Sequence, residues 1–229
     1  MRRIVAVVLA FVAALGCAAA ADPNKTLRVA FQRAETGFDP QAISDIYSQY
    51  VTHAIFDPLY RYDYLARPYR IVSNTATAMP EISSDGRTWT MRVRPGIYFS
   101  DDPAFKGGKR ELTAADYVYA WKRLIDPKLR SLNVQIFDDR LVGAKEAIAA
   151  AMKTGKFDYD APLEGVQALD RYTIRLKLNF PAYDLLADLT GAGTAALIAS
   201  AGVSHTCPGE CARRSSRVTR SSAGEMVRA

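Results

Sequence analysis

Apolar and polar positions alternate with the two-residue period of a half-buried strand at three places along the chain. In Thr26-Leu27-Arg28-Val29-Ala30-Phe31 the apolar face is Leu27, Val29 and Phe31, and Gly37 with Asp39-Pro40 supplies a turn after it. Trp89, Met91 and Val93 alternate with Thr90, Arg92 and Arg94 between the turn Ser84-Asp85-Gly86 and the stop Pro95-Gly96. Tyr172, Ile174, Leu176 and Leu178 alternate with Thr173, Arg175 and Lys177 until Asn179-Phe180-Pro181. A tryptophan in such a run is expected on a buried sheet face rather than as a ligand platform. Elsewhere the spacing changes to three and four residues. Ile43, Ile46, Tyr47, Tyr50, Val51, Ala54 and Ile55 predict an amphipathic helix within 43–60, ended by Asp57-Pro58. Thr113 to Asp116 opens a second helix with a capping-box pattern, and Val118, Trp121, Leu124 and Ile125 form its apolar stripe up to Asp126-Pro127. A third helix is predicted from about Leu141 to Met152, ending at Thr154-Gly155. Strands and helices follow one another without the regular alternation of a doubly wound sheet, so the pattern predicts a mixed α/β or α+β protein.

Composition divides the 229 residues into three parts. The first 21 carry only Arg2 and Arg3 as charges, followed by the apolar run Ile4 to Leu15 and the small residues Ala19-Ala20-Ala21. This is the pattern of a cleaved export signal, and the run is shorter than the ~18 residues expected of a membrane span. Leu15-Gly16-Cys17 also resembles the end of a lipoprotein signal, in which Cys17 would carry the lipid. Residues 22–194 hold 23 basic and 22 acidic side chains and no cysteine, so five of the six net positive charges belong to the ends. No nucleic-acid-binding face and no disulfide framework are expected. After Tyr183 there is no aromatic residue, and residues 195–229 carry five arginines and six serines without apolar periodicity. That tail is expected to be disordered or to be peptide from a shifted reading frame.

Catalytic patterns are missing. The histidines are His53 and His205, and no G-x-S-x-G, H-E-x-x-H, P-loop or G-x-G-x-x-G is present. Lys106-Gly107-Gly108-Lys109 lacks the strand and the hydroxyl of a phosphate cradle. Asp101-Asp102 and Asp138-Asp139 are expected to be solvated turn charges. His205, Cys207 and Cys211 offer zinc donors without a second pair at finger-like spacing. Neither an enzyme nor a metal or cofactor is expected.

Two linked stretches carry a resemblance. Trp89-Thr90-Met91-Arg92-Val93-Arg94-Pro95-Gly96-Ile97-Tyr98-Phe99-Ser100-Asp101, followed by Leu112-Thr113-Ala114-Ala115-Asp116-Tyr117-Val118-Tyr119-Ala120-Trp121-Lys122-Arg123, resembles the family 5 extracellular solute-binding proteins, the peptide-binding receptors of ABC importers. Gly37-Phe38-Asp39-Pro40, Phe56-Asp57-Pro58-Leu59-Tyr60, Ser84-Asp85-Gly86-Arg87, Val166-Gln167-Ala168-Leu169-Asp170 and Asn179-Phe180-Pro181-Ala182 agree in order. The resemblance covers residues 26 to about 190.

It implies the N-terminal part of a bilobed periplasmic binding protein of type II, with the second lobe missing. It implies the start of lobe I at 22–56, a smaller domain inserted at 57–169 and a return to lobe I at 170–194. The ligand would be a small peptide or similar solute, the partner a membrane permease, and the receptor a periplasmic monomer. In peptide-binding members the segment just after the Asp-Pro lies along the ligand. Carried over, that segment is Ser44, Asp45, Ile46 and Tyr47, whose backbone groups would pair with the peptide as an added strand does; here the resemblance implies a loop or helix start instead of the helix that periodicity predicts at 43–47. The alternative is a non-transporting remnant or small interaction domain that binds no soluble ligand, and an exported hydrolase is a more distant one.

Overall fold

The computed structural model describes residue 26 and residues 28–198. The chain divides into two units, one ending at Gln32 and the other beginning at Arg33. In the first, residues 28–31 have no regular secondary structure and Val29 is exposed, so the strand predicted at 26–31 is not formed among the described residues. Alternation gives a segment two faces, but a strand persists only where its N–H and C=O groups enter a ladder.

The second unit is built on antiparallel pairing. A hairpin joins β1 (Tyr60–Tyr62) and β2 (Ile71–Ser73). A four-stranded sheet follows, made of β3 (Glu81–Ile82), β4 (Thr88–Arg92), β5 (Val166–Ala168) and β6 (Thr173–Lys177), in the order β3-β4-β6-β5. Its register sets Trp89 opposite Leu176 and Met91 opposite Ile174, with Val166 against Leu176 on the other side. All five are buried, which confirms the face assigned to both long strands. The β3–β4 turn closes with the Ser83 N–H donating to the Thr88 carbonyl at 2.9 Å. Gly86 sits there at φ 70°, where a side chain would be strained and its Cβ would meet Pro181 at 3.0 Å.

Helix α1 is Ile46–His53, α2 is Ala114–Leu124, α3 is Ala144–Thr154 and α4 is the single turn Leu185–Asp188. α2 packs against β5 and β6, and the later helices add residues to the same core. At the start of α2 the Asp116 carboxylate accepts from the backbone N–H and the hydroxyl of Thr113, both at 2.8 Å. The buried stripe of α2 is Ala114, Tyr117, Ala120, Trp121 and Leu124, with Val118 only partly buried. Trp121 lies 5.4 Å from Phe137 between ring centroids and 5.9 Å from Tyr117, in the favourable range for offset aromatic contact. α3 starts later than periodicity predicts because Leu141 is drawn into a bridge with Leu178, leaving Gly143 at φ 81° as the N-cap.

β6 lies between β4 and β5, so residues 170–194 share a sheet and a core with residues from 57–169. The tail is corrected at its near end: Ala195 and Ala196 are buried, and Leu197 packs on the core. Short alanines without periodicity hide this burial from the sequence. The leader with Cys17, and residues 199–229 with His205, Cys207 and Cys211, lie outside the described residues.

Candidate ligand-binding segment

Residues 36–47 reach the start of α1 through a network of polar anchors. The Gln41 side chain is fully buried. Its amide nitrogen donates to the Ala120 carbonyl at 2.8 Å and to the Gly193 carbonyl at 3.1 Å, and its oxygen accepts from Arg123 at 2.8 Å. Arg123 also grips Asp39 with both terminal nitrogens, at 3.1 and 2.5 Å. Side chains there are 18% and 14% exposed, so this fork is better shielded from water than a surface pair and holds one geometry. The Ser131 hydroxyl donates to the Gln41 carbonyl at 2.6 Å. One residue further along α2, the Trp121 indole N–H donates to the Thr194 carbonyl at 2.9 Å. One helix therefore fixes both the 39–41 turn and the 192–194 turn.

Beyond Gln41, Ile43 is buried and Ser44 is exposed. Asp45 has extended backbone, φ −82° and ψ 148°, and caps α1 by accepting from the Ser48 N–H at 2.8 Å. Thr36 completes the cap, its hydroxyl donating to Asp45 at 2.5 Å and its N–H to the Ser48 hydroxyl at 2.9 Å. Hydrogen bonds from Ser48, and then from Thr36, hold the Asp45 carboxyl down to about 2. It stays ionised at any physiological pH.

This places the four residues carried over from the resemblance in a single run, Ser44 and Ile46 exposed and Asp45 and Tyr47 half-buried, with a refinement. Asp45 is extended and Ser44 lies outside any helix or strand, whereas Ile46 and Tyr47 open the helix, so the second pair does not have the backbone shape of an added strand. Ile46 offers a first-turn N–H of the kind that has no partner inside a helix. The Ser44 carbonyl accepts from the Gln49 side chain at 3.2 Å.

The stripe predicted for this helix is only partly turned inward: Ile43 is buried and Tyr47, Val51 and Ile55 are half-buried. The buried positions of α1 are Ser48 and Thr52, while Ile46 and Tyr50 are 54% and 57% exposed. Ser48 and Thr52 can go inward because the Ser48 hydroxyl takes the Thr36 N–H and the Thr52 hydroxyl donates to the Gln49 carbonyl at 3.1 Å. Ile46 and Tyr50 are left on the surface.

Other candidates do not gather into a site. His53 is exposed at the end of α1. Asp102 caps the 3-10 turn Pro103–Phe105, and Asp138 accepts from the Asp139 N–H. No metal-competent cluster of His, Cys, Asp or Glu occurs among the described residues. Two open hollows of about 470 and 570 Å³ lie elsewhere, one along Asp126 to Arg130 and the end of α3, the other within Asp63 to Arg70. No helix among the described residues is long and apolar enough to cross a membrane.

The mixed α/β architecture is that of bilobed periplasmic binding proteins of type II. DppA from Helicobacter pylori, solved with the peptide STSA, superposes with a TM-score of 0.51 at 28% identity, over 72% of this chain and 29% of that one. The model of the bacterial extracellular solute-binding proteins, family 5, matches residues 70–206, and the chain belongs to that family. Di/tripeptide-binding protein 2 of Pseudomonas aeruginosa is 30% identical over 171 residues, 72% of this chain and 28% of the relative. The probable deoxycholate-binding periplasmic protein YgiS of Escherichia coli is 34% identical over 101 residues, 44% of this chain and 16% of the relative. The chain thus spans less than a third of the length of the relatives it matches.

Sequence reasoning missed the anchors of the segment. Asp39 and Arg123 both stand in motifs quoted above, but they are separated by 84 positions, and nothing local pairs them. Gln41 carried no signal.

Proposed function

We propose that the chain is part of the extracytoplasmic solute-binding component of an ABC importer, and that its solute is a small peptide. The observation that carries this reading is the partly exposed run Ser44 to Tyr47, held by buried anchors while the apolar residues Ile46 and Tyr50 of the same turn are exposed. A peptide lying along it would meet Ser44, the extended backbone of Asp45, the first-turn N–H of Ile46 and a small apolar surface. The ionised Asp45 adds a fixed negative charge that suits a peptide's amino group better than its carboxylate. The role is binding and delivery to a permease, with no chemical step and no cofactor. Export through the leader, with or without a lipid on Cys17, fits this role, as does the division into a start of lobe I at 22–56 and an inserted smaller domain from 57.

A thermal-shift titration with dialanine and trialanine tests the proposal, free alanine serving as control. Peptide at ten times its Kd would add ~1.4 kcal/mol, which moves Tm by about 3–6 °C in a domain of this size. No shift at millimolar peptide contradicts a peptide solute. It would favour the reading of a small interaction domain.

A further inference from the structure

The β1–β2 hairpin ends in a tip that the binding segment does not use. Residues 61–70 read Arg-Tyr-Asp-Tyr-Leu-Ala-Arg-Pro-Tyr-Arg, with three arginines against one aspartate, a net of +2. Tyr64 is 87% exposed, Leu65 82% and Tyr69 76%. Large apolar side chains grouped at such exposure mark a contact surface.

The tip is ordered by its own bonds. The Asp63 N–H donates to the Arg70 carbonyl at 2.7 Å, and the Asp63 carboxylate accepts from the Leu65 N–H at 3.2 Å and from Arg70 at 2.9 Å. Arg67 donates to the carbonyls of Tyr64 and Ala66, at 3.2 and 2.8 Å. Tyr62 and Tyr69 meet edge to face, 5.8 Å between centroids. These bonds keep Tyr64 and Leu65 on one projecting loop and set arginines around them, so docking would cost little ordering entropy.

We propose that this tip docks on an anionic phospholipid surface. Tyrosine, with an apolar body and a polar end, belongs at the boundary of headgroup and acyl chain, leucine goes deeper, and arginine meets phosphate. The net positive charge of the tip complements such a surface. The contact is weak and peripheral: one leucine and two or three tyrosines dip in while the sheet stays in water. It would keep a solute carrier close to a membrane-embedded acceptor without anchoring it. This inference rests on the extracytoplasmic reading for its biological sense, but its test does not depend on peptide binding.

The experiment is co-sedimentation of the full chain with vesicles of phosphatidylcholine alone and of phosphatidylcholine with phosphatidylglycerol in equal parts. The chain is compared with Tyr64→Ser/Leu65→Ser and, separately, with Arg67→Gln, circular dichroism confirming the fold of each. Any contribution of the leader is common to all three. The expected result is preferential binding to the anionic vesicles, weakened by salt. The double variant loses about tenfold in partitioning, from the apolar area no longer buried, and Arg67→Gln about fivefold. Equal partitioning of all three proteins, or equal binding to neutral and anionic vesicles, overturns the proposal. So does a change of oligomeric state in the double variant without a change in vesicle binding, which would assign the tip to a second copy of the chain. A thermal shift with peptide alongside a flat vesicle assay would refute this inference and leave the solute-binding reading intact.

Discussion

Replacing Gln41 with leucine removes the amide that joins the binding segment to α2 and to the 192–194 turn. Three hydrogen bonds go with it, to Ala120, Gly193 and Arg123. The two neutral ones are each worth ~1 kcal/mol and the one from the guanidinium ~2 kcal/mol. The Ala120 carbonyl keeps its place in the helix and Arg123 keeps Asp39, but the Gly193 carbonyl loses this donor. Leucine is close to glutamine in volume and its burial returns about 1 kcal/mol. The expected net loss is about 3 kcal/mol, a fall in Tm of about 6–12 °C or in urea midpoint of about 1 M. Urea unfolding followed by tryptophan fluorescence reads this directly, because Trp89 and Trp121 are both fully buried. Gln49→Leu, on the exposed side of α1, is the control and should change stability by less than ~0.5 kcal/mol. A loss below ~1 kcal/mol for Gln41→Leu would show that the amide is not what holds the segment, and the pre-set binding run would lose its physical basis.

Gly165→Ala should destabilise by about 2 kcal/mol or more, measured in the same urea assay. Its Cβ would stand 2.6 Å from the Val142 carbonyl and 2.7 Å from Val142 N, where only backbone could give way; a loss under ~0.5 kcal/mol would contradict this packing. The Glu111 carboxyl is lowered from its ordinary 4.5 to about 2 by the hydrogen bond from Arg171, then by those from the Gly96 N–H and the Tyr172 hydroxyl. Its stabilisation is therefore present above pH 4.5 and disappears as pH falls towards about 2. Wild type should exceed Glu111→Gln in urea midpoint at neutral pH and converge with it across that window, and a gap independent of pH would contradict the assignment.

Alternation was legible in the sequence where both faces of a strand had fixed destinations. β4 and β6 are correct because Trp89, Met91, Ile174 and Leu176 leave one choice of face. The turn Ser84-Asp85-Gly86 and the Thr113–Asp116 cap were legible for the same reason, since local chemistry decided them. The strand at 26–31 failed because periodicity says nothing about a pairing neighbour. β1 and β2 were missed because Tyr60 to Tyr62 and Ile71 to Ser73 are too short to show a period. α1 was located, but part of its stripe is exposed: hydroxyls that bond within the first turns take the inner positions, while Ile46 and Tyr50 stay out. That exchange is the part of the candidate site that composition could not supply, since it depends on Thr36 and Gln41 meeting partners distant in sequence. The resemblance did point to Ser44, Asp45, Ile46 and Tyr47, whose partial exposure and anchoring now give the carry-over a geometry.

The central claim is that this run receives a peptide backbone, and amide hydrogen exchange of the chain with and without millimolar trialanine tests it most directly. The account predicts slower exchange of the amides from Ser44 to Tyr47, with the β4–β6 core unchanged. Unaltered exchange in that run, or slowing confined to a surface elsewhere in the chain, would contradict it.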